Sequence, residues 1–213
     1  MVASLHLQRM VDEIDQQFSL EPYVKRAFLS VDREAFVTSV FKHLAYKLDA
    51  LPMQADQWIS SPLTVAKMTQ HLELKGVDSV LEVGCGSGYQ AAILSQIVRR
   101  VFTIERIDPL LREAKERFRT LELSNIFTRY DDGQRGWKEY APYDRIIFSA
   151  TADKIPEVLF EQLAEGGILI APLNNNRQGQ QIITRYEKRY GRISAGEPIE
   201  SCLFVPVLSG TKK

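Results

Sequence analysis

The fold of this 213-residue chain is decided by the stretch Val80-Leu81-Glu82-Val83-Gly84-Cys85-Gly86-Ser87-Gly88-Tyr89-Gln90. Its first residues predict a strand, its three glycines a turn, and the segment Ala91 to Val98 a helix. Glycine lets the backbone of such a turn adopt positive φ and approach a ligand closely. A second predicted strand, 101–104, ends at Glu105, whose carboxylate can accept hydrogen bonds from ribose hydroxyls. The stretch therefore predicts a nucleoside-binding crevice.

The spacing of the three glycines distinguishes between classes of nucleoside. Dinucleotide sites favour G-x-G-x-x-G, in which the glycines and a helix N-terminus hold a pyrophosphate. Here Gly84, Gly86 and Gly88 alternate, and Tyr89 stands where a dinucleotide site would have its third glycine. This form, followed by Glu105 on the second strand, is the usual one in methyltransferases that use S-adenosylmethionine (SAM). We predict SAM as the cofactor and keep two alternatives, an ordinary tight turn and an NAD-type dehydrogenase.

Composition and charge are those of a soluble globular protein. Hydrophobic residues make up 45% of the chain and charged residues 25%. Lys+Arg and Asp+Glu both number 27, so the formal net charge is zero and no global field favours nucleic acid. Cys85 and Cys202 form neither a disulfide framework nor a metal-ligand pattern, and no metal is expected. We interpret Cys85 as a small residue that fills the glycine turn rather than as a nucleophile.

The N-terminal sequence and the lengths of the apolar runs bear on location. The segment Met1 to His6 lacks the charged and apolar regions of a signal peptide. No stretch approaches the length of a membrane span. We therefore expect a cytoplasmic protein with no membrane or nucleic-acid partner. Because no long exposed apolar patch is evident, we also expect a monomer.

Hydrophobic periodicity predicts a helical N-terminal region followed by alternating strands and helices. Residues 5–37 are predicted to be helical, with Pro22 opening a second helix, and Pro62 begins another helix that runs to about Leu74. The predicted strands are 79–83, 101–105, 125–130, 145–148 and 168–173. The predicted helices between them are 88–98, 108–121 and 155–164. Such alternation predicts a parallel sheet with helices on both faces.

The C-terminal part follows a different pattern. The segments Gln180–Arg189 and Cys202–Val207 have strand character with no helix between them, and the polar segment 174–179 predicts a turn. Strands joined without a helix usually pair antiparallel. We therefore predict one α/β domain, 1–213, with a Rossmann-like SAM-methyltransferase fold. It has a mostly parallel sheet, an antiparallel C-terminal edge and an N-terminal helical cap.

The chain resembles the protein-L-isoaspartate O-methyltransferase family along nearly its whole length, roughly from Arg9 to Leu208. The segments that carry the resemblance are Val31-x-Arg33-Glu34-x-Phe36-Val37, Ile59-Ser60-x-Pro62, Leu81-Glu82-x-Gly84-x-Gly86-Ser87-Gly88-Tyr89-Gln90-Ala91-Ala92, Ile104-Glu105-Arg106-Ile107, Asp132-Gly133-x-x-Gly136-Trp137, Tyr143-Asp144, Glu161-Gln162-Leu163-Ala164-x-Gly166-Gly167 and Phe204-Val205-Pro206-Val207. Many methyltransferases share the glycine turn. The Gly-Ser-Gly-Tyr-Gln, Asp-Gly-x-x-Gly-Trp and Phe-Val-Pro strings are much more particular to this family.

The resemblance implies a SAM-dependent enzyme that methylates the free carboxylate of isoaspartyl residues in damaged proteins and so begins their repair. It implies a cofactor site made of Gly84, Cys85, Gly86, Ser87, Gly88, Glu105, Arg106, Asp132 and Gly133. The glycines of the turn would face the amino-acid part of SAM, Glu105 its ribose, and Asp132 with Gly133 its adenine. Ser60 would lie at the acceptor carboxylate. Residues 1–75 would form the helical cap and acceptor loop, and 76–213 the SAM-binding core.

One loop departs from the family pattern, which usually reads Gly-x-Gly-Gln-Thr-Ile-Ser-Gln-Pro. This chain has Gln54-Ala55-Asp56-Gln57-Trp58-Ile59-Ser60-Ser61-Pro62, so both glycines are replaced and an indole has appeared. Trp58 adds bulk beside the expected acceptor. Asp56 would repel an anionic acceptor by on the order of 1 kcal/mol at about 4 Å. A methyltransferase with a different acceptor and a SAM-binding protein without catalytic activity therefore stay open as alternatives.

Methyl transfer to a carboxylate requires the protein mainly to align the acceptor with the methyl donor. An Asp-like carboxyl group, with an ordinary pKa of about 3.9, is already ionised at pH 7 and needs no general base. The three histidines, His6, His43 and His71, lie outside the predicted strand-end loops, which mildly favours an acceptor that arrives charged. Ser60 would orient the acceptor through its hydroxyl. The alternative for Ser60 is that it caps the helix that begins at Pro62.

Overall fold

Helices and strands alternate through the central part of the chain, as the sequence predicts. The computed structural model describes residues 4–175 and 180–213. The helices are α1 (Leu5–Gln17), α2 (Pro22–Ser30), α3 (Pro62–His71), α4 (Tyr89–Ser95), α5 (Asp108–Thr120) and α6 (Glu157–Glu161). The strands are β1 (Leu51–Pro52), β2 (Trp58–Ile59), β3 (Ser79–Val83), β4 (Arg100–Glu105), β5 (Ile126–Tyr130), β6 (Tyr143–Phe148), β7 (Leu163–Asn175), β8 (Gln180–Arg189), β9 (Arg192–Ile193) and β10 (Glu197–Cys202). Short 3₁₀ turns cover Arg33–Phe36, Ser39–Leu44, Gln54–Asp56, Gly133–Arg135 and Lys138–Tyr140.

The main sheet has the strand order β10-β8-β7-β6-β3-β4-β5, and β9 pairs with β8 outside this path. The pairs formed by β7, β6, β3, β4 and β5 are parallel, whereas β8 pairs antiparallel with both β7 and β10. The predicted parallel sheet with an antiparallel C-terminal edge is confirmed. Because β3 pairs with β4 on one side and with β6 on the other, the order of strands reverses at β3. Such a reversal leaves a crevice at the carboxyl ends of the strands.

The sheet separates two buried clusters, because alternate residues of a strand point to opposite faces. Val80 of β3 packs in one cluster with side chains of α1, α2, α3 and α4. Leu81 and Val83 pack in the other cluster, with Leu159 of α6. The N-terminal helices therefore cover one face of the sheet and bring the segment before α3 to its edge. Within the described ranges, no helix is both long and apolar enough to cross a membrane.

The predicted last strand, Cys202–Val207, is wrong in its position. The edge strand is β10, and the chain leaves the sheet after Cys202. Pro206 has no N–H to donate to a strand ladder. The residues on either side of it bond to Thr151 instead, whose N–H donates to the Val205 carbonyl at 2.8 Å and whose carbonyl accepts from the Val207 N–H at 2.7 Å. Hydrophobic periodicity does not predict β10, because this strand is rich in polar, partly exposed residues.

Several other boundaries differ from the predictions: α3 ends at His71 and α4 at Ser95, each about three residues early. The predicted helix 155–164 is only the five residues of α6, and β7 begins at Leu163 instead of residue 168. The register explains the longer strand: Leu163 pairs with Tyr143 and Ile168 with Arg145, so the intervening Gly166 region forms an irregularity within the strand pair. The N-terminal helices end at Ser30 and not at residue 37. The predicted turn 174–179 is wrong at Asn174 and Asn175, which belong to β7, and its residues 176–179 lie outside the described residues.

Candidate active site

The glycine turn follows β3 and leads into α4. Gly84, Gly86 and Gly88 have φ of 94°, 52° and 88°, values that glycine adopts without the steric cost of a Cβ. A Cβ on Gly86 would meet no atom within 4 Å, whereas one on Gly88 would lie 2.6 Å from the Phe118 ring of α5. The first two glycines line the crevice, and Gly88 allows α4 to pack closely on α5.

Glu105 ends β4 beside this turn, where the sequence predicts it. Its carboxylate accepts hydrogen bonds from the Gly86 N–H at Oε2 and from the Ile107 N–H at Oε1, each at 2.9 Å. The side chain is nearly buried, and burial raises the pKa of Glu105 although these backbone donors act in the opposite direction. A carboxylate has about four acceptor positions, so the described donors leave about two for a ligand.

Two pockets open beside the glycine turn. They share the lining residues Trp58, Gly84, Gly86 and Ser149. The first pocket extends to Ser60 and has a volume of ≈ 40 Å³, and the second extends from Glu105 to residues 205–208 and has a volume of ≈ 70 Å³. Small-molecule pockets usually measure about 300–1,000 Å³. Neither pocket alone has the volume of a nucleoside-sized ligand.

Two polar residues of the first pocket, Glu82 and Ser149, are missing from the predicted site. Glu82 is fully buried, and its carboxylate accepts from Thr103 Oγ1 at 2.6 Å and from Ser149 Oγ at 3.0 Å. Burial raises the pKa of Glu82 to about 8. A carboxyl group inside a buried strand next to a glycine turn is the signal that could have identified it. Ser149 directly follows β6, the strand next to β3, which is where such folds bind ligands.

Ser60 lines the first pocket together with Gly84 and Gly86. Within the described residues its hydroxyl makes no hydrogen bond, so it is free to contact a ligand. The alternative of helix capping is wrong, because α3 has no side-chain cap and the neighbouring Ser61 hydroxyl donates to the Leu48 carbonyl at 2.7 Å. Pro62 occupies the first turn of α3 as predicted.

In the loop 54–62, which departs from the family pattern, Trp58 lines the two pockets and Asp56 does not. Trp58 lines both pockets, with 53% of its surface exposed. Asp56 is exposed and lines neither of them, so the expected repulsion of an anionic acceptor has no basis in the geometry. Ala55 and Asp56 have φ of 59° and 58°. The loop thus keeps a backbone shape suited to glycine although its glycines are gone.

Three further residues of the predicted cofactor site, Gly133, Arg106 and Asp132, lie at or near the second pocket. Gly133 lines the second pocket, and a Cβ there would lie 2.7 Å from Val83 Cγ1. Arg106 also lines it, and its Nε donates to the Gly210 carbonyl at 2.8 Å. Asp132 is buried behind the pocket and accepts from the Gly210 N–H at 2.8 Å. Arg106 and Asp132 therefore hold the C-terminal residues beside the second pocket.

Cys85 and Ser87 line the first pocket between the glycines. Cys85 is buried, and burial raises the pKa of its thiol well above the ordinary value. A neutral thiol is a poor nucleophile, which agrees with Cys85 as a filler of the turn. Ser87 Oγ accepts from the Tyr89 N–H at 3.3 Å and so helps to begin α4.

Comparisons with known proteins agree with this geometry. The family model described as Protein-L-isoaspartate(D-aspartate) O-methyltransferase (PCMT) matches residues 6–212. A protein-L-isoaspartate O-methyltransferase of Helicobacter pylori strain J99 is 56% identical over 203 residues, which cover 95% of this chain and 96% of that protein. One from Shewanella oneidensis is 44% identical over 189 residues, covering 89% and 88% of the two chains.

Solved structures give the same result. A structure titled protein-L-isoaspartate O-methyltransferase aligns with a TM-score of 0.88 and 25% identity over 97% of this chain and 67% of that one. A putative Plasmodium falciparum PCMT in complex with S-adenosyl-L-homocysteine aligns with a TM-score of 0.84 and 22% identity over 95% and 98% of the two chains. The predicted Rossmann-like methyltransferase fold is confirmed. The chain belongs to the protein-L-isoaspartate(D-aspartate) O-methyltransferase family.

Proposed function

We propose that this protein transfers the methyl group of SAM to the free α-carboxylate of isoaspartyl residues, as the first step in repair of damaged proteins. One observation carries the proposal. Ser60 lines the same pocket as Gly84 and Gly86, and Glu105 lines an adjoining pocket that shares Trp58, Gly84, Gly86 and Ser149 with the first. A methyl donor in one part and a carboxylate at Ser60 would therefore meet within the same space.

The residues of the crevice fit SAM in their chemistry. The open space at Gly86 and the positive φ of the turn allow close backbone approach to the amino-acid part. Glu105 has free acceptor positions for ribose hydroxyls, and Gly133 would border the adenine. Cys85 and Ser87 would contribute the wall of the turn. Arg106 and Asp132 would act on the adenine side mainly by holding the C-terminal residues in place.

The protein's part in the reaction is alignment and exclusion of water. When bound, SAM supplies a methyl group on a sulfonium sulfur, which keeps the S–C electron pair as the new O–C bond forms. The Ser60 hydroxyl would donate a hydrogen bond to one carboxylate oxygen, and the other carboxylate oxygen would face the methyl group. The acceptor arrives ionised, so no residue has to remove a proton. Because opposite charges disappear in this transfer, a dry crevice favours it.

The geometry gives no support to the alternative functions. The alternative of a different acceptor rested on the two lost glycines, Trp58 and Asp56 of the loop 54–61. Asp56 is exposed and lines neither pocket, and Ala55 and Asp56 keep the positive φ that glycine favours. The case for an inactive SAM-binding protein rested on decay of the acceptor loop, but Ser60 keeps its place in the first pocket. The NAD-type alternative does not agree with membership of this family.

We also propose a single domain in which 1–75 and 76–213 work together. One buried cluster supports this proposal, since it contains residues of α1, α2 and α3 as well as β3 and α4. We further propose a cytoplasmic monomer that contacts isoaspartyl proteins and no nucleic acid. The balanced charge and two free cysteines support this view. Light scattering of the purified protein would measure its oligomeric state.

The experiment is transfer of radiolabelled methyl from SAM to an isoaspartyl peptide, with the aspartyl peptide of the same sequence as control. We expect label only in the isoaspartyl peptide, as a base-labile ester. Ser60→Ala should lower kcat/KM, while Ser30→Ala, an exposed serine at the end of α2, should not. Equal labelling of the two peptides, or SAM binding by calorimetry without labelling of either, would contradict the proposal.

A further inference from the structure

A third cavity, the outer groove, adjoins the first pocket. Its volume is ≈ 640 Å³. It is lined by the acceptor loop (residues 54–62), by the start of α3 and by the segment that follows β10. Its apolar wall contains Trp58, Leu203, Phe204 and Val205. The hydroxyl-bearing residues that line it are Ser60, Ser61, Thr64, Ser149 and Ser201. None of the described residues that line it carries a charge.

The outer groove is continuous with the acceptor position. It shares four lining residues with the first pocket: Trp58, Ser60, Ser149 and Phe204. A carboxylate at Ser60 would therefore have the rest of its peptide in the groove. Trp58 lines the groove and both pockets, so its indole lies where the peptide enters.

The chemistry of the isoaspartyl linkage identifies the nearest peptide residue. The Cα of the isoaspartyl residue carries the free carboxylate, the amide nitrogen and the methylene through which the chain continues. The preceding residue is joined through the nitrogen, one bond closer to the carboxylate than the following residue. Its side chain is therefore the first to meet the wall formed by Trp58 and Leu203.

We propose that Trp58 and Leu203 select isoaspartyl sites that are preceded by an apolar residue. This inference rests on the proposed function. Both side chains are large apolar surfaces open to solvent, with exposures of 53% and 90%. An apolar side chain laid against them removes apolar area of both partners from water. A charged side chain would lose hydration there and find no partner charge among the described lining residues.

The test compares peptides that differ only in the residue before isoaspartate, which is Leu, Lys or Glu, with Gly after it. The measurement is kcat/KM for methylation at saturating SAM. We expect the Leu peptide to exceed both charged peptides by about tenfold, and Lys and Glu to behave alike because the groove is uncharged. Since each ratio is taken within one protein, a change in SAM affinity cancels.

Substitutions at Trp58 and Leu203 test whether these two residues cause the preference for an apolar preceding residue. Trp58→Thr and Leu203→Ser should each reduce the Leu-to-Lys ratio to about two or three. The control is Tyr190→Asn, which removes an aromatic ring that is 94% exposed at the far end of β8, and it should keep the full ratio. Asparagine tolerates the φ of 53° at this position.

The outcomes separate the inference from the proposed function. Methylation of all three peptides at similar kcat/KM would overturn the inference and leave the function standing. A preference that survives both Trp58→Thr and Leu203→Ser would also overturn it. Absence of methylation of every isoaspartyl peptide would overturn the function and the inference together.

Discussion

The guanidinium of Arg33 donates a hydrogen bond from Nη2 to the backbone carbonyl of Ser60, at 3.1 Å. It also donates to the carbonyls of Ala45, Lys47 and Asp49, at 2.6, 3.2 and 2.9 Å. Arg33 is fully buried, and burial lowers the pKa of its guanidinium. In the described part of the chain no carboxylate forms a salt bridge with it. Arg33 therefore fixes the Ser60 backbone to the segment 45–49 through carbonyl groups alone.

Replacement of Arg33 should affect the acceptor side more than the cofactor side. We expect Arg33→Met to destabilise the protein by about 3 kcal/mol, because four carbonyls lose a charged donor. The KM for an isoaspartyl peptide should rise by about tenfold as Ser60 loses its support, while the Kd for SAM changes little. Urea unfolding, peptide kinetics and calorimetry measure the three quantities.

A conservative variant separates position from charge at this site. Arg33→Lys keeps the charge but loses the planar fork that reaches several carbonyls. We expect its peptide KM to lie between those of the natural protein and Arg33→Met. An equal rise of the SAM Kd and the peptide KM in both variants would show general loss of structure and contradict a positioning role.

Glu105 offers a direct test of the cofactor site. Glu105→Gln replaces one acceptor oxygen by an NH₂ group, which must then face the Gly86 or Ile107 N–H or the ribose. We expect the Kd for SAM to rise by at least about tenfold, because two donors would oppose each other in a buried place. The control is Glu116→Gln on the exposed face of α5. Calorimetry that gives the same Kd for both variants would contradict a ribose contact.

The sequence was sufficient for the parts of the site that are local in the chain. The glycine turn and Glu105 could be predicted because a strand, a turn and a helix within a few residues determine the backbone there. Ser60 could be predicted only through the family resemblance. Its position depends on the hydrogen bond from Arg33 to the Ser60 carbonyl and on the one from the Ser61 hydroxyl to the Leu48 carbonyl. Propensity alone favoured a helix cap at this point.

The parts that could not be predicted depend on strand order. Ser149 reaches the Glu82 carboxylate across 67 residues of sequence, because β6 is placed beside β3. The bonds of Arg106 and Asp132 to Gly210 likewise join the crevice to the end of the described chain. No short sequence pattern predicts these long-range hydrogen bonds. The sequence did not predict that residues 203–207 leave the sheet, because an apolar run with one proline resembles a strand.

Glu82 should make stability depend on pH. Its pKa is about 8 in the folded protein and about 4.5 when solvated, so the folded state binds more protons between these values. The free energy of unfolding should therefore fall as pH rises from about 5 to 8, with a contribution of about 1 kcal/mol per pH unit from this group. Below that window the contribution of Glu82 is constant.

Glu82→Gln removes the titration while keeping the shape of the protonated carboxyl. We expect its free energy of unfolding to change less with pH, so that its advantage over the natural protein grows from pH 5.5 to pH 7.5. Urea unfolding at these pH values, without SAM, measures it. Glu13→Gln on the exposed face of α1 is the control. Parallel pH curves for the natural protein and Glu82→Gln would show that Glu82 titrates normally.

The backbone of the acceptor loop gives a prediction whose sign depends on φ. Ala55 has φ of 59°, where an alanine Cβ is strained and glycine is not. We expect Ala55→Gly to stabilise the protein by about 0.5–1 kcal/mol, the strain relieved exceeding the greater entropy of glycine in the unfolded chain. The same change at Ala66, buried inside α3, should destabilise it by about 1 kcal/mol or more. Thermal unfolding of both variants gives the comparison, and destabilisation by Ala55→Gly would mean that the loop is not strained at this residue.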